Sequence, residues 1–212
     1  MNAPVRPDPA FAVSAVIEAG RAAAARGWVP ATSGNFSVRV DAERIAVTRS
    51  GVDKGALTQG DVWLQPLGEP LLPGSSAEAG LHVRLYRDEP DIGAIFHVHS
   101  PAATVLARAH ADDGALNIEG WELQKALRGV GSHEETIEAP IFVNDQNVPA
   151  LAERVAERLR APARPNARRA PGYLLAGHGL YAWGRDAAEA WRHLEALEVL
   201  FQQILNYRSY RP

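Results

Sequence analysis

Cysteine is absent from the 212 residues, which excludes disulfides, thiolate metal ligands and a cysteine nucleophile. Any transition metal bound by this chain must therefore take its ligands from His, Asp or Glu. No apolar run approaches the roughly 20 residues of a membrane span, and there is no internal repeat or coiled-coil heptad. Nor is there an excess of basic charge. A net charge of −3 and a pI near 6.2 argue against nucleic acid or an anionic membrane surface as partner. The first ten residues, with several prolines and Asp8, do not have the form of a signal peptide, so the expected location is cytoplasmic. What is present is the composition of an ordinary globular protein, with 46% hydrophobic and 22% charged residues. The length suits one domain spanning residues 1–212, with 1–8 as a loose tail.

Hydrophobic periodicity divides the chain into alternating helices and strands. Phe11 to Arg26 has helical spacing, with Gly27 as the stop. A Thr32 to Asn35 turn runs into a strand that ends near Val40, and Arg44 to Thr48 completes a hairpin. Asp61 to Leu67 reads as a third strand. Ser75 or Ser76 would cap a helix from about Ala77 to Arg87, with Glu78 early in it, where the helix dipole favours a carboxylate. Pro101 opens a helix through Ala109, Asp112 to Asn117 reads as a polar loop, and Glu119 to Leu127 as a short helix. Ile137 to Val143 is a strand and Pro149 to Arg160 a helix. Residues 161–171 form an Arg- and Pro-rich loop, and Gly172 to Trp183 a strand pair turning at His178. A final helix covers Asp186 to about Tyr207. The pattern predicts a mixed α/β fold with a largely antiparallel sheet.

The most informative stretch is Gly93 to Pro101, which contains His97-Val98-His99. Ile95, Phe96 and Val98 favour a strand, and on a strand His97 and His99 point the same way, about 7 Å apart along its axis. At that spacing two imidazoles can close on one metal ion, zinc being the commonest. The alternative is two histidines packed near a strand end with ordinary hydrogen bonds. His178, flanked by Gly177 and Gly179, is the best third ligand, or else simply marks a tight turn. Three imidazoles and one open position describe a catalytic rather than a structural zinc site. Gly/Ser turns at Ser33-Gly34-Asn35, Ser50-Gly51 and Ser75-Ser76 offer neutral donors for an anion. Glu78 and Glu122 are the carboxylates that could move a proton beside a cation, although solvated or capping roles also fit them.

Ser33-Gly34-Asn35-Phe36-Ser37, Ser50-Gly51, Ser75-Ser76-x-Glu78, His97-Val98-His99 and Gly177-His178-Gly179 occur in the order seen in class II, zinc-dependent sugar-phosphate aldolases and their adducin-like superfamily. The chain resembles this group from about Phe11 to Tyr207. Arg49 to Lys54, Gly120 to Leu127 and Gly179 to Gly184 resemble its sugar-phosphate dehydratase branch. The resemblance implies a class II aldolase-like fold of three αβα layers around the sheet. It also implies one Zn2+ per subunit on His97, His99 and His178, and a phosphate held by Asn35, Ser50, Gly51 and Ser76. In the aldolases the residue matching Glu78 is the acid/base; in the dehydratases that role belongs to the position of Glu122. The implied partners are a small sugar-phosphate substrate and identical subunits, in a homotetramer with sites near its interfaces.

Overall fold

The computed structural model describes residues 8–210, so the tail expected at 1–8 lies outside the described residues except for Asp8. That residue caps the first helix, its Oδ1 accepting from the Phe11 N–H at 3.0 Å. In chain order the elements are α1 (Pro9–Ala25), β1 (Asn35–Arg39), β2 (Arg44–Thr48), β3 (Val62–Pro66), α2 (Ala79–Asp88), β4 (Ala94–Val98) and α3 (Pro101–Ala109). They continue with β5 (Ala115–Ile118), β6 (Thr136–Phe142), α4 (Val148–Arg160), β7 (Ala167–Arg169), β8 (Gly172–Leu175), β9 (Gly179–Gly184) and α5 (Ala187–Tyr210).

The strands form one sheet in the order β3-β2-β1-β4-β9-β8-β6-β5, with β7 beside β6. Among the described residues only β6–β7 and β6–β8 pair in parallel, so the largely antiparallel sheet is as expected. Helices cover both faces. Residues of α1, α3 and α5 pack with Phe36, Phe96 and Val98 on one side, while α2 and α4 pack with Ile45, Ile95 and Tyr181 on the other. This is the three-layer αβα arrangement. Strand β4 lies near the middle and is buried along its whole length, which is why its apolar residues run almost without a break. Alternation sends Phe96 and Val98 to the α1/α3/α5 layer, and Ile95 and His97 towards α2 and α4. Among the described residues, no helix is long and apolar enough to cross a membrane.

Four local expectations are corrected. Helix α2 begins at Ala79 rather than Ala77, because Ser75 is taken into a bridge with Arg49 and the Ser50 N–H donates to Gly74 O at 3.0 Å. With its backbone committed there, neither Ser75 nor Ser76 caps the helix, and Glu78 takes the capping position. The loop expected at 112–117 gives way from Ala115 to β5, whose Leu116 and Ile118 are buried against the core. The short helix expected at 119–127 is a 3₁₀ turn, Glu122–Ala126. Within the Arg-rich loop, Ala167–Arg169 adds the short strand β7.

Candidate metal centre and substrate cleft

His97 is the fourth residue of β4, directly opposite Asn35 of β1 and Tyr181 of β9. Tyr181 stacks on its ring, centroids 3.9 Å apart and planes within 14°. The His97 Nδ1 lies 2.9 Å from Leu180 O. A carbonyl only accepts, so Nδ1 carries the proton and the Nε2 lone pair faces the open side. His99 follows the strand, and its N–H donates to Trp28 O at 2.8 Å. Ser100 then caps α3, ending the extended segment immediately after the two imidazoles.

His178 arrives from the β8–β9 turn. Gly177 there takes φ +67, and a Cβ on Gly179 would stand 2.0 Å from Val98 O. Only glycine allows the backbone of β9 to come so close to β4, and that approach carries His178 over the strand end. Asn144, just past β6, holds the His178 Nδ1 at 3.1 Å through Oδ1, which turns its Nε2 inward in the same way.

The three Nε2 atoms converge: His97 to His99 is 2.9 Å, His99 to His178 is 3.0 Å and His97 to His178 is 3.3 Å. Glu78 closes the group, its Oε1 at 2.9 Å from His178 Nε2 and its Oε2 at 3.6 Å from His97 Nε2. All four donor atoms lie within 4.8 Å of one another. Burial holds His97 well below the usual imidazole range and His99 down to about 4, so both are neutral ligands at neutral pH. Burial alone would raise the Glu78 carboxyl. The close contact with His178 and the surrounding imidazoles outweigh it and bring the group down to about 2. Three imidazoles and a carboxylate turned towards one point fit a divalent cation. Zn–N bonds of about 2.0–2.1 Å would set tetrahedral nitrogens roughly 3.3 Å apart, close to the spacing here.

These groups form one wall of a cleft of about 370 Å³, bordered by Ser33, Ser50, Gly51, Ser76 and Lys54. Ser50, Gly51 and Ser76, three of the expected anion donors, thus border one cleft. Asn35 does not line the cleft. It is buried, and its Nδ2 donates to Glu78 Oε2 at 2.8 Å, so its amide orients the carboxylate. Glu122 is not brought to the histidines of its own chain. It stands 73% exposed on a separate shallow surface with Trp121, Leu123, Ala126 and Gln203, paired with Lys125 at 2.6 Å, and that bond lowers its carboxyl pKa. Sequence reasoning missed Asn144, which only a polar run after a strand would have signalled; of the two carboxylates it named as able to act beside a cation, Glu78 is the one that stands at the imidazoles of its own chain.

A three-layer αβα fold with three histidines and a carboxylate clustered at one end of its sheet defines a class of proteins. The family model described as the Class II Aldolase and Adducin N-terminal domain matches residues 14–205, and the chain belongs to that family. The solved L-fuculose-1-phosphate aldolase from Thermus thermophilus superposes with a TM-score of 0.75 at 29% identity, over 94% of this chain and 96% of that one. Within the family the chain groups with the methylthioribulose-1-phosphate dehydratases. It is 65% identical to that of Bradyrhizobium sp. (strain BTAi1 / ATCC BAA-1182) over 94% of this chain and 92% of the relative. The dehydratase of Parvibaculum lavamentivorans is 49% identical, over 97% and 98% of the two chains.

Proposed function

We propose that this chain removes water from 5-methylthioribulose 1-phosphate to give 2,3-diketo-5-methylthiopentyl 1-phosphate, the dehydration step of methionine salvage. We place it in the cytoplasm as a homotetramer with one zinc ion per subunit. The observation that carries this reading is the convergence of the His97, His99 and His178 Nε2 atoms beside a cleft rimmed by Ser50, Gly51 and Ser76. Zinc on those imidazoles would supply a Lewis acid for the ketose carbonyl, making the neighbouring C3–H acidic.

The chain's own groups do the remaining work. Ser50, Gly51 and Ser76 bind the phosphate and fix how far the reacting carbons reach from it. Asn35 contributes through Glu78, which it holds at the cluster. A carboxylate takes the C3 proton, the C4 hydroxyl leaves as water after gaining a proton, and the resulting enol tautomerises to the diketone. No carbon–carbon bond breaks. We assign the proton transfer to Glu122. Because Glu122 and the imidazoles of one chain face different surfaces, it serves the site across an interface, as Glu122 of the partner subunit.

The position of Glu78, 2.9 Å from His178, favours a second reading: aldol cleavage of a ketose 1-phosphate such as fuculose or rhamnulose 1-phosphate, with Glu78 as acid/base. Products separate the two. Methylthioribulose 1-phosphate should yield a diketone, whereas a triose or aldehyde fragment supports the aldolase. Glu122→Gln should lower kcat by at least about 10²-fold with metal content unchanged. Mixing Glu122→Gln with His97→Ala subunits should restore part of the activity, since hybrid interfaces unite intact halves. If Glu78→Gln is inactive while Glu122→Gln turns over normally, the assignment to Glu122 is wrong.

A further inference from the structure

The chain carries twenty arginines but only two lysines, Lys54 and Lys125. Lys125 is exposed and pairs with Glu122. Lys54 is 1% exposed and lies at the substrate cleft. Its Nζ donates to Thr32 O at 2.7 Å and Val52 O at 2.8 Å, both neutral acceptors, while the Asp53 and Glu78 carboxylates act on it only through space. Burying a cation without a directly bonded counter-charge is expensive, and burial lowers this ammonium's pKa accordingly.

The two carbonyls it binds belong to the two turns that rim the cleft. Ala31 and Thr32 have φ of 50 and 64, a left-handed conformation that is strained for non-glycine residues and most of all for a β-branched one. Val52 follows Gly51, which has φ +71. Ser33 Oγ and Arg49 Nε, in the same turns and also at the cleft, are buried without a hydrogen-bond partner among the described residues. A strained turn, orphaned polar atoms and a buried cation meeting at one place imply an anionic ligand that uses all three.

We propose that Lys54 is the charge counterpart of the substrate's phosphate, a positioning and specificity residue. Its ammonium ties residues 31–34 to residues 49–52 and, beside the Arg49 guanidinium that also lines the cleft, adds positive charge that hydroxyls and amides do not supply. The cleft thereby selects a dianionic phosphate ester over the same ketose without its phosphate. This inference rests on the reading of the cleft as a sugar-phosphate site and adds the group that makes the phosphate necessary.

Inorganic phosphate is the probe. With lysine as the only labelled residue type, the full chain gives two side-chain signals. Phosphate, compared with chloride at equal ionic strength, should shift that of Lys54 and leave that of Lys125 in place. Phosphate should also raise the melting temperature of the wild type by several degrees, and Lys54→Met should lose that response. On methylthioribulose 1-phosphate, Lys54→Met should raise KM at least tenfold with kcat within threefold, and Lys54→Arg should recover part of the loss. The proposal is overturned if phosphate leaves the Lys54 signal unmoved, or if Lys54→Met keeps both the phosphate response and KM. A lower kcat at unchanged KM overturns it as well. Should Lys54→Met not fold, the wild-type signal decides alone. None of the phosphate readouts requires turnover, so a failed dehydratase assay on the wild type is distinguishable from failure of the Lys54 assignment.

Discussion

Asn144 touches His178 only through Oδ1, yet that contact decides which ring nitrogen faces the cleft. A hydrogen bond behind a metal-binding imidazole fixes its tautomer and orientation, and losing one typically costs 10–100-fold in metal affinity. Asn144→Ala should therefore weaken divalent-metal binding by about that factor, as measured by competition with a coloured chelator, without unfolding the chain. Glu198 tests a different property. It is 3% exposed in α5, and its Oε2 accepts from the Ser100 hydroxyl. Burial pushes its carboxyl from 4.5 to about 7, against the opposing effect of that hydrogen bond. The folded state thus holds this proton more tightly than the unfolded one. Its contribution to stability is complete below about pH 4.5 and is lost as pH rises through about 7. Glu198→Gln should match the wild type in acid and exceed it at pH 8 by on the order of a few kcal/mol, as read from urea melts at the two pH values. Much of the metal cluster was legible at this scale. His97 and His99 show themselves because strand alternation is local, and His178 because glycines flank it. Asn144 and the burial of Lys54 were not legible, since both depend on segments that meet only in the finished fold.

Among the elements, the contact of β9 with β4 carries the most weight for the site. Gly179→Ala would place a methyl 2.0 Å from Val98 O, a collision with backbone that no rotamer change relieves. It should cost at least about 3 kcal/mol and lower metal content at the same time. Gly68→Ala is the control: nothing lies within 4 Å of its Cβ, and it should be neutral or stabilising by about 0.4–1 kcal/mol. Urea denaturation of the pair measures both. Long periodic elements such as α1, α4 and α5 were readable from sequence to within a few residues, because each buries a stripe of its own. Strand β5 was not, because Asp112, Asp113 and Gly114 make its approach look like a loop while Leu116 and Ile118 are buried. The late start of α2 was hidden for a similar reason. The bridge that delays it is made to Arg49, far back in the chain.

At the scale of the whole molecule, the groups that converge on the cluster come from distant parts of the chain. His97 and His99 are neighbours, but Glu78 caps the start of α2 and His178 lies on the β8–β9 turn, so the span closed at the centre runs from residue 78 to residue 178. An ion bound there acts as a cross-link. In a chain without cysteine it stands where a disulfide would, and a covalent bridge across a loop of roughly 100 residues is worth about 4–5 kcal/mol in chain entropy. Stripping the metal should accordingly lower the melting temperature by several degrees, and restoring zinc should reverse the change. Loosening should be uneven: amide exchange should accelerate first in the β8–β9 turn and the start of α2, with β4 protected longest by its place in the sheet. A metal ion there would then be a topological fastener as well as a reagent, so that a chain deprived of it loses its shape around the site along with its chemistry.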